Sequence, residues 1–243
     1  MNLVIDIGNT AIKLAVFDKG KLQWVWNAGD ALDLKKFKNK DYKFQYSIVS
    51  SVISDDKKLV ELLSMRTKLI RFSHKTPLPF KNRYKTPATL GLDRLASVAG
   101  AWKKFPKKNV LVIDAGTCIK YDFINSKGEY LGGSISPGLQ MRFNALHNFT
   151  DRLPLIKPEP VKALTGDSTK NSILTGVITG MTIEIKGFIE EYKSRSRKNR
   201  DKLKVILTGG DSAFLKRQLK SSIFVAPNLT LEGLHEILRH NVD

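Results

Sequence analysis

The sequence predicts an α/β fold made of two similar halves. The first pointer is the turn Asp6-Ile7-Gly8-Asn9-Thr10, which lies between the apolar runs Leu3–Ile5 and Ala11–Phe17 and reads as the end of a β-hairpin. The second is the return of that pattern at Asp114-Ala115-Gly116-Thr117, after Val110–Ile113 and before Cys118–Ile124. The third is the run of elements behind each turn, in which strands precede helices in the same order. Two Asp-x-Gly hairpins in matching settings imply a duplicated fold whose halves meet at residue 105/106, giving domains 1–105 and 106–243.

Taken in order, residues 1–27 read as three strands. Trp24 and Trp26 are two apart, so they share one face of the third, where core packing is expected. A short lysine-rich helix over 31–39, a strand over Phe44–Val49, a helix over Asp55–Ser64 and a strand over Thr67–Phe72 follow. Residues 73–90 contain Pro77, Pro79 and Pro87 and read as irregular chain carrying Asn82-Arg83-Tyr84. Gly91-Leu92-Asp93-Arg94 then opens a helix with Leu95, Val98, Ala99 and Trp102 at helical spacing.

The second half repeats the pattern with strands over Val110–Asp114, Cys118–Asn125 and Glu129–Ile135. The glycines of Gly132-Gly133 and Pro137-Gly138 allow backbone to approach a substrate, or serve a plain strand-to-helix loop. A helix over Leu139–Phe149 ends before an extended segment marked by Pro154, Pro158 and Pro160. A long helix over Thr169–Tyr192 carries the apolar stripe Ile173, Val177, Met181, Ile185, Phe188 and Tyr192. Such a stripe is core by default, and its length also suits a dimer face. A strand over Leu203–Leu207 runs into Thr208-Gly209-Gly210. A helix with Leu215 and Leu219, a strand over Ile223–Ala226 and a helix over Leu229–Arg239 complete this half.

Composition narrows the functional classes. The single Cys118 excludes an internal disulfide and fits a reducing compartment. No apolar run approaches the ~18 residues a bilayer crossing needs, and no charged-then-apolar leader stands at the start. The expected location is the cytoplasm, without a membrane. The net charge of +18 is high enough to raise nucleic acid as a partner. Its clusters, Lys35-Lys36-Lys38-Lys40, Lys103-Lys104-Lys107-Lys108 and the stretch from Lys193 to Lys204, are far apart and have no interleaved aromatics to stack bases. Solvated faces that attract an anionic substrate are the preferred reading, and nucleic acid is disfavoured.

The turns point to phosphate chemistry. An Asp at a strand end holds a hydrated cation, and the glycine, the hydroxyl and the backbone N–H groups face phosphate oxygens. Asp93 and Arg94 are adjacent between the two turns. The carboxylate is placed to accept a proton from a hydroxyl, and the guanidinium to hold a carboxylate or phosphate bidentately. No P-loop pattern G-x-x-x-x-G-K-[ST] occurs, and no histidine stands at metal-ligand spacing from another ligand.

With Leu207-Thr208-Gly209-Gly210 added, the two Asp-x-Gly turns resemble the phosphate-1, phosphate-2 and adenosine motifs of the sugar kinase/actin/Hsp70 superfamily. That resemblance implies duplicated ribonuclease H-like (actin-like ATPase) domains, each a mixed five-stranded sheet flanked by helices. A narrower match comes from Asp6-Ile7-Gly8-Asn9-Thr10 with Lys13, Asn82-Arg83-Tyr84, Gly91-Leu92-Asp93-Arg94, Asp114-Ala115-Gly116-Thr117, Gly132-Gly133, Pro137-Gly138 and Gly166 with Thr169. In this order the set resembles type III pantothenate kinase over nearly the full chain. The departure is Leu92, where the family has Ala at a non-reacting position.

The resemblance implies ATP-dependent phosphorylation of the pantothenate hydroxyl, the first step of coenzyme A synthesis. It makes Asp93 the proton acceptor. It makes Tyr84, Gly91, Leu92, Asp93, Arg94 and Thr169 pantothenate contacts. Asp6, Ile7, Gly8, Asn9, Thr10, Ala11, Ile12, Lys13 and Thr117 become ATP contacts, and Asp114 the ligand of a monovalent cation, potassium or ammonium. Magnesium arrives with ATP, and the working form is a homodimer with sites at the interface. Two other classes compete: a non-catalytic accessory regulator on the same fold, and a superfamily kinase or phosphatase with another substrate. Intact Asp6, Asp93 and Asp114 argue against the first, and Gly-x-Asp-Arg with Tyr84 and Thr169 against the second.

Overall fold

The structure is a computed structural model that describes residues 1–8, 11–28, 43–51, 57–197, 202–219 and 223–243. Asn9 and Thr10, the helix expected over 31–39 with its lysines, and the first residues of the helix expected from Asp55 lie outside the described residues.

The chain divides into two compact units, one of residues 1–106, 128–130 and 228–243, the other of 107–127 and 131–227. The first holds β1 (Asn2–Ile7), β2 (Ile12–Asp18), β3 (Lys21–Asn27), β4 (Tyr46–Ser51) and β5 (Lys68–Arg71) in the order β3-β2-β1-β4-β5. The hairpin partners β1/β2 and β2/β3 are antiparallel, and β1/β4 and β4/β5 are parallel, so the sheet is mixed and five-stranded as expected. β1 and β2 are apolar almost throughout because both faces are covered, and Leu3, Ile5, Leu14 and Val16 are buried. β3 instead alternates between exposed and half-buried, with Trp24 and Trp26 packed against the core on its inner face. Helix α1 (Lys57–Ser64) links β4 to β5.

The 73–90 segment is more ordered than its prolines imply. β6 (Lys81–Asn82) runs parallel to the start of β9, Lys81 facing Glu129 and Asn82 facing Tyr130. His74 Nε2 lies 2.7 Å from the Leu90 carbonyl, and a 3-10 turn at Pro87–Thr89 leads into α2 (Leu92–Lys104). Proline removes a donor but leaves its neighbours free to pair, which is how a two-residue strand persists here.

The last helix, α7 (Leu229–Val242), was expected to complete the second half, and it packs in the first unit against α2. The reason is small residues at the crossing. A Cβ on Gly233 would stand 1.7 Å from the Ala96 carbonyl oxygen, and one on Gly100 2.5 Å from that of Leu229. Only glycine lets the two backbones come this close. His235 of α7 is buried and stacks on Phe17 of β2 with ring centroids 4.0 Å apart.

The second unit is built on β7 (Val110–Ala115), β8 (Cys118–Ile124), β9 (Glu129–Pro137), β10 (Lys204–Thr208) and β11 (Phe224–Val225), in a sheet of order β11-β10-β7-β8-β9-β6 that has six strands where five were expected, because the short β6 adds to its edge. β7 pairs antiparallel with β8 and parallel with β10. Helices α3 (Leu139–Asn148), α4 (Thr169–Leu174), α5 (Gly180–Arg197) and α6 (Ser212–Leu219) belong to this unit. The expected long helix is present, but a π-helical stretch at Thr175–Thr179 separates α4 from α5. Its stripe is core: Ile173, Val177, Met181 and Ile185 are buried within the single chain, Met181 completely. The alternative that this stripe is a dimer face is therefore corrected. By length and composition Thr169–Ser196 also passes for a membrane span. Ile173, Leu174, Val177, Ile178, Met181, Ile185 and Ile189 of this stretch are buried in the second core, while Ile183 is exposed.

Candidate active site

Each unit carries one half of the predicted chemistry. In the first, the β1–β2 hairpin closes with the Gly8 amide donating to the Ala11 carbonyl at 3.1 Å. The register sets Asp6 directly opposite Lys13, and Ile7 opposite Ile12. Carboxylate and ammonium thus start from paired positions beside the turn, with no ion pair formed by Lys13 among the described residues.

The residues of this unit expected to contact substrate gather at and near the start of α2. Gly91 precedes the helix and Asp93 lies in its first turn. A Cβ on residue 91 would stand 2.4 Å from Asp93 Oδ1, so the carboxylate folds back over this position and would have to turn aside for any larger residue. Asp93 is half-buried, while Arg94 is 5% exposed. The guanidinium of Arg94 stands 5.6 Å from the centre of the Tyr84 ring, within cation–π range. Tyr84 stacks in turn on Tyr130 at 6.3 Å. The loop holding Tyr84 is fixed by the Tyr84 amide donating to Asn82 Oδ1 at 3.0 Å and the Arg83 amide donating to the Tyr130 carbonyl at 2.9 Å. The structure brings Tyr84, Gly91, Asp93 and Arg94 together. Tyr130, which supports Tyr84, was not singled out. The short spacing from Lys127-Gly128 would not reveal it, because the β6–β9 pairing is non-local.

The second turn is braced on two sides. Gly116 N–H donates to the Cys118 carbonyl at 3.1 Å, closing the β7–β8 hairpin. Gly138, before α3, donates to the Thr117 carbonyl at 3.2 Å, and a Cβ there would stand 2.3 Å from that oxygen. Gly209 has φ +92°, and a Cβ there would stand 2.3 Å from the Ala115 carbonyl oxygen and 2.6 Å from Asp114 Oδ1. The Pro-Gly and Thr-Gly-Gly motifs are therefore seats for the Asp114 turn. Gly133 is likewise structural: its Cβ would lie 1.7 Å from the Tyr121 carbonyl oxygen, so close strand packing demands it.

Behind Gly138 stands a polar cluster that sequence reading missed. Arg142 donates from Nη2 to Glu184 Oε2 at 2.5 Å and to Ser136 Oγ at 2.8 Å, and from Nε to the Pro137 carbonyl at 2.9 Å. The Tyr121 hydroxyl donates to Glu184 Oε1 at 2.8 Å. Burial raises the Tyr121 hydroxyl far above its usual value, and the bond to Glu184 raises it further. Burial alone would raise the Glu184 carboxyl too. Hydrogen bonds from Arg142, Tyr121 and Ser136 outweigh that and hold it below the usual range. Asp211, whose amide donates to the Ala115 carbonyl at 3.0 Å, has its carboxyl raised by burial.

Asp114 itself is already paired. Lys120 faces it directly across the hairpin, and its Nζ stands 2.7 Å from Asp114 Oδ2. Thr169 is the first residue of α4, exposed, with Ser168 as the cap accepting from the Asn171 amide at 3.3 Å. Among the described residues no three His, Cys, Asp or Glu side chains form a metal-binding group.

A model of the type III pantothenate kinase family matches residues 2–191. A type III pantothenate kinase from Christiangramia forsetii is 49% identical over 99% of both chains, and one from Phocaeicola vulgatus 46% identical over 99% of both. The chain belongs to the type III pantothenate kinase family. Among solved structures, a Campylobacter jejuni protein assigned to the Baf family of transcriptional activators superposes with TM-score 0.62 at 22% identity, covering 99% and 98% of the two chains. A Listeria monocytogenes protein assigned as an N-acetylmannosamine kinase superposes with TM-score 0.52 at 14% identity, covering 98% and 99%. At these identities the likeness is one of fold, the sugar-kinase and actin-like ATPase architecture. Membership of the family makes the chain a kinase.

Proposed function

We propose that this chain transfers the γ-phosphoryl group of ATP to the primary hydroxyl of pantothenate, giving 4'-phosphopantothenate and ADP in the first step of coenzyme A synthesis. The observation that carries the reading is the placement of Asp93, Arg94 and Tyr84 together at the start of α2 in a member of this family. Asp93 accepts the hydroxyl proton as the new O–P bond forms and the bond to the β-phosphate oxygen breaks. Arg94, buried and held over Tyr84, offers its charge to the pantothenate carboxylate, and Gly91, Leu92 and Thr169 complete the substrate contacts. Asp6, Ile7, Gly8, Ala11, Ile12, Lys13 and Thr117 meet the nucleotide, with Asn9 and Thr10 in the same turn. ATP brings magnesium, which offsets phosphate charge. Phosphoryl transfer calls for such positioning and charge more than for covalent chemistry.

The reading carries with it a cytoplasmic enzyme working as a homodimer. With the α4–α5 stripe inside the core, the apolar side chains left for such a contact on the second unit include Leu131, Ile135 and Ile183. The resemblance also brings a monovalent cation to Asp114. The donor set there does not fit a dissolved ion at Oδ2, because the Lys120 ammonium holds that oxygen. The reading is tested by coupling ADP release to pantothenate. ADP formation that depends on pantothenate supports it, and ATP turnover indifferent to pantothenate rejects it.

A further inference from the structure

We propose that the ammonium of Lys120 is the monovalent cation of the Asp114 turn, so that this chain needs no dissolved potassium or ammonium there. The inference rests on the kinase reading above and deepens it at one position. β7 and β8 place Asp114 and Lys120 as direct cross-strand partners, one residue pair before the hairpin ends. Their side chains meet at 2.7 Å and are 14% and 17% exposed, so the pair is shielded from solvent. A lysine head group is a substituted ammonium ion, with one positive charge and N–H donors for oxygen ligands. It therefore offers Asp114 what a dissolved ammonium ion would offer.

Tethering decides the competition. Lys120 is carried on the strand facing Asp114, so its local concentration is set by the chain and not by the medium. A dissolved ion would have to displace it from a charge-assisted hydrogen bond inside a hairpin seated on Gly138 and Gly209. The carboxylate's other oxygen, Oδ1, points toward the Gly209 seat, where a Cβ would come within 2.6 Å. The carboxylate is thus held between a fixed backbone and a fixed ammonium.

The test uses the full chain in buffers of equal ionic strength made with choline, sodium, potassium or ammonium chloride. The unchanged protein should phosphorylate pantothenate in choline at a rate within about twofold of that in potassium. Lys120→Ala should lose about 10²-fold in choline and regain most of it in potassium or ammonium, as expected for one lost electrostatic contact. A second readout is free of turnover: the melting temperature of Lys120→Ala should rise in potassium relative to choline, and that of the unchanged protein should not. Stimulation of the unchanged protein by more than about tenfold in potassium overturns the proposal and leaves the kinase reading standing. So does a Lys120→Ala protein that is fully active in choline. If Lys120→Ala does not fold, the cation response of the unchanged protein decides alone, with Lys120→Met as the second variant. Absence of pantothenate phosphorylation in every salt rejects the kinase reading itself.

Discussion

The two hairpins carry the same design with different outcomes. In both, the register puts a lysine directly opposite the aspartate that precedes the turn, Lys13 against Asp6 and Lys120 against Asp114. Among the described residues, the second closes into a solvent-shielded ion pair between these two side chains. The loops explain the division of labour. Four residues, from Gly8 to Ala11, separate the last paired residues of the first hairpin, against three, from Gly116 to Cys118, in the second. The shorter turn is also seated on two glycines, while the first is closed by the Gly8–Ala11 hydrogen bond. A duplicated motif therefore yields one hairpin whose lysine forms no ion pair among the described residues and one whose charge is settled internally.

The largest expected effect lies outside both hairpins and serves as their control. Asp93→Asn should lower kcat by about 10²–10⁴-fold while leaving the fold intact, as loss of a general base does. No salt should restore it. A rate recovered by potassium would put Asp93 in the charge network of the hairpins and blur the contrast. Next, Lys13→Ala should raise the KM for ATP, with a loss in kcat/KM of about 10-fold to 10²-fold and no cation rescue. Rescue of Lys13→Ala by potassium to the same extent as Lys120→Ala would erase the distinction between the two lysines.

The seat of the second turn can be removed directly. Gly209→Ala forces a side chain at φ +92° into the Ala115 carbonyl and Asp114 carboxylate, and should cost about 2 kcal/mol or more of stability. Denaturant unfolding measures it. An unchanged midpoint would mean the turn does not depend on that glycine.

Acid separates the two units by smaller effects. Burial pushes His235 of the first unit down to about 4, with the Arg239 charge adding to the shift. The unfolded chain then binds the extra proton between its ordinary value of 6.5 and the folded value, so stability is full above that window and is lost as pH falls through it. The loss is on the order of 3 kcal/mol at full protonation. Glu184 of the second unit is shifted down, so its contribution persists until pH falls through the lowered carboxyl value. All three tryptophans, Trp24, Trp26 and Trp102, belong to the first unit. Tryptophan emission should therefore report weakening between pH 6.5 and 4, while hydrogen exchange of β7 and β8 stays slow. Simultaneous loss of both signals near pH 6 would contradict this order.

Much of this was legible in the sequence because it is local. Asp-x-Gly between β-branched runs specifies a hairpin, and the Gly-x-Asp-Arg segment after the prolines specifies a helix start with its carboxylate in the first turn. What stayed hidden depends on facing. Lys120 reads as one more charge on a strand until the hairpin register sets it against Asp114, although Lys13 opposite Asp6 was a usable hint. The stripe through Met181 announced a helix but not its cover, since a core helix and an interface helix share one period. Glu184 and Arg142 are 42 residues apart and meet only in the packed unit. Gly100 and Gly233, which draw α7 onto α2, look like ordinary helix glycines until both backbones are seen at the crossing.

In the proposed reaction Asp93 takes a proton from the pantothenate hydroxyl as ATP gives up its terminal phosphoryl group. The direct measurement is phosphorus NMR of the purified full chain with magnesium-ATP and pantothenate, run in choline chloride. A new phosphomonoester signal should grow in step with ADP, present with the unchanged protein and all but absent with Asp93→Asn. ADP appearing with inorganic phosphate alone, or a phosphomonoester formed equally fast by Asp93→Asn, would contradict it.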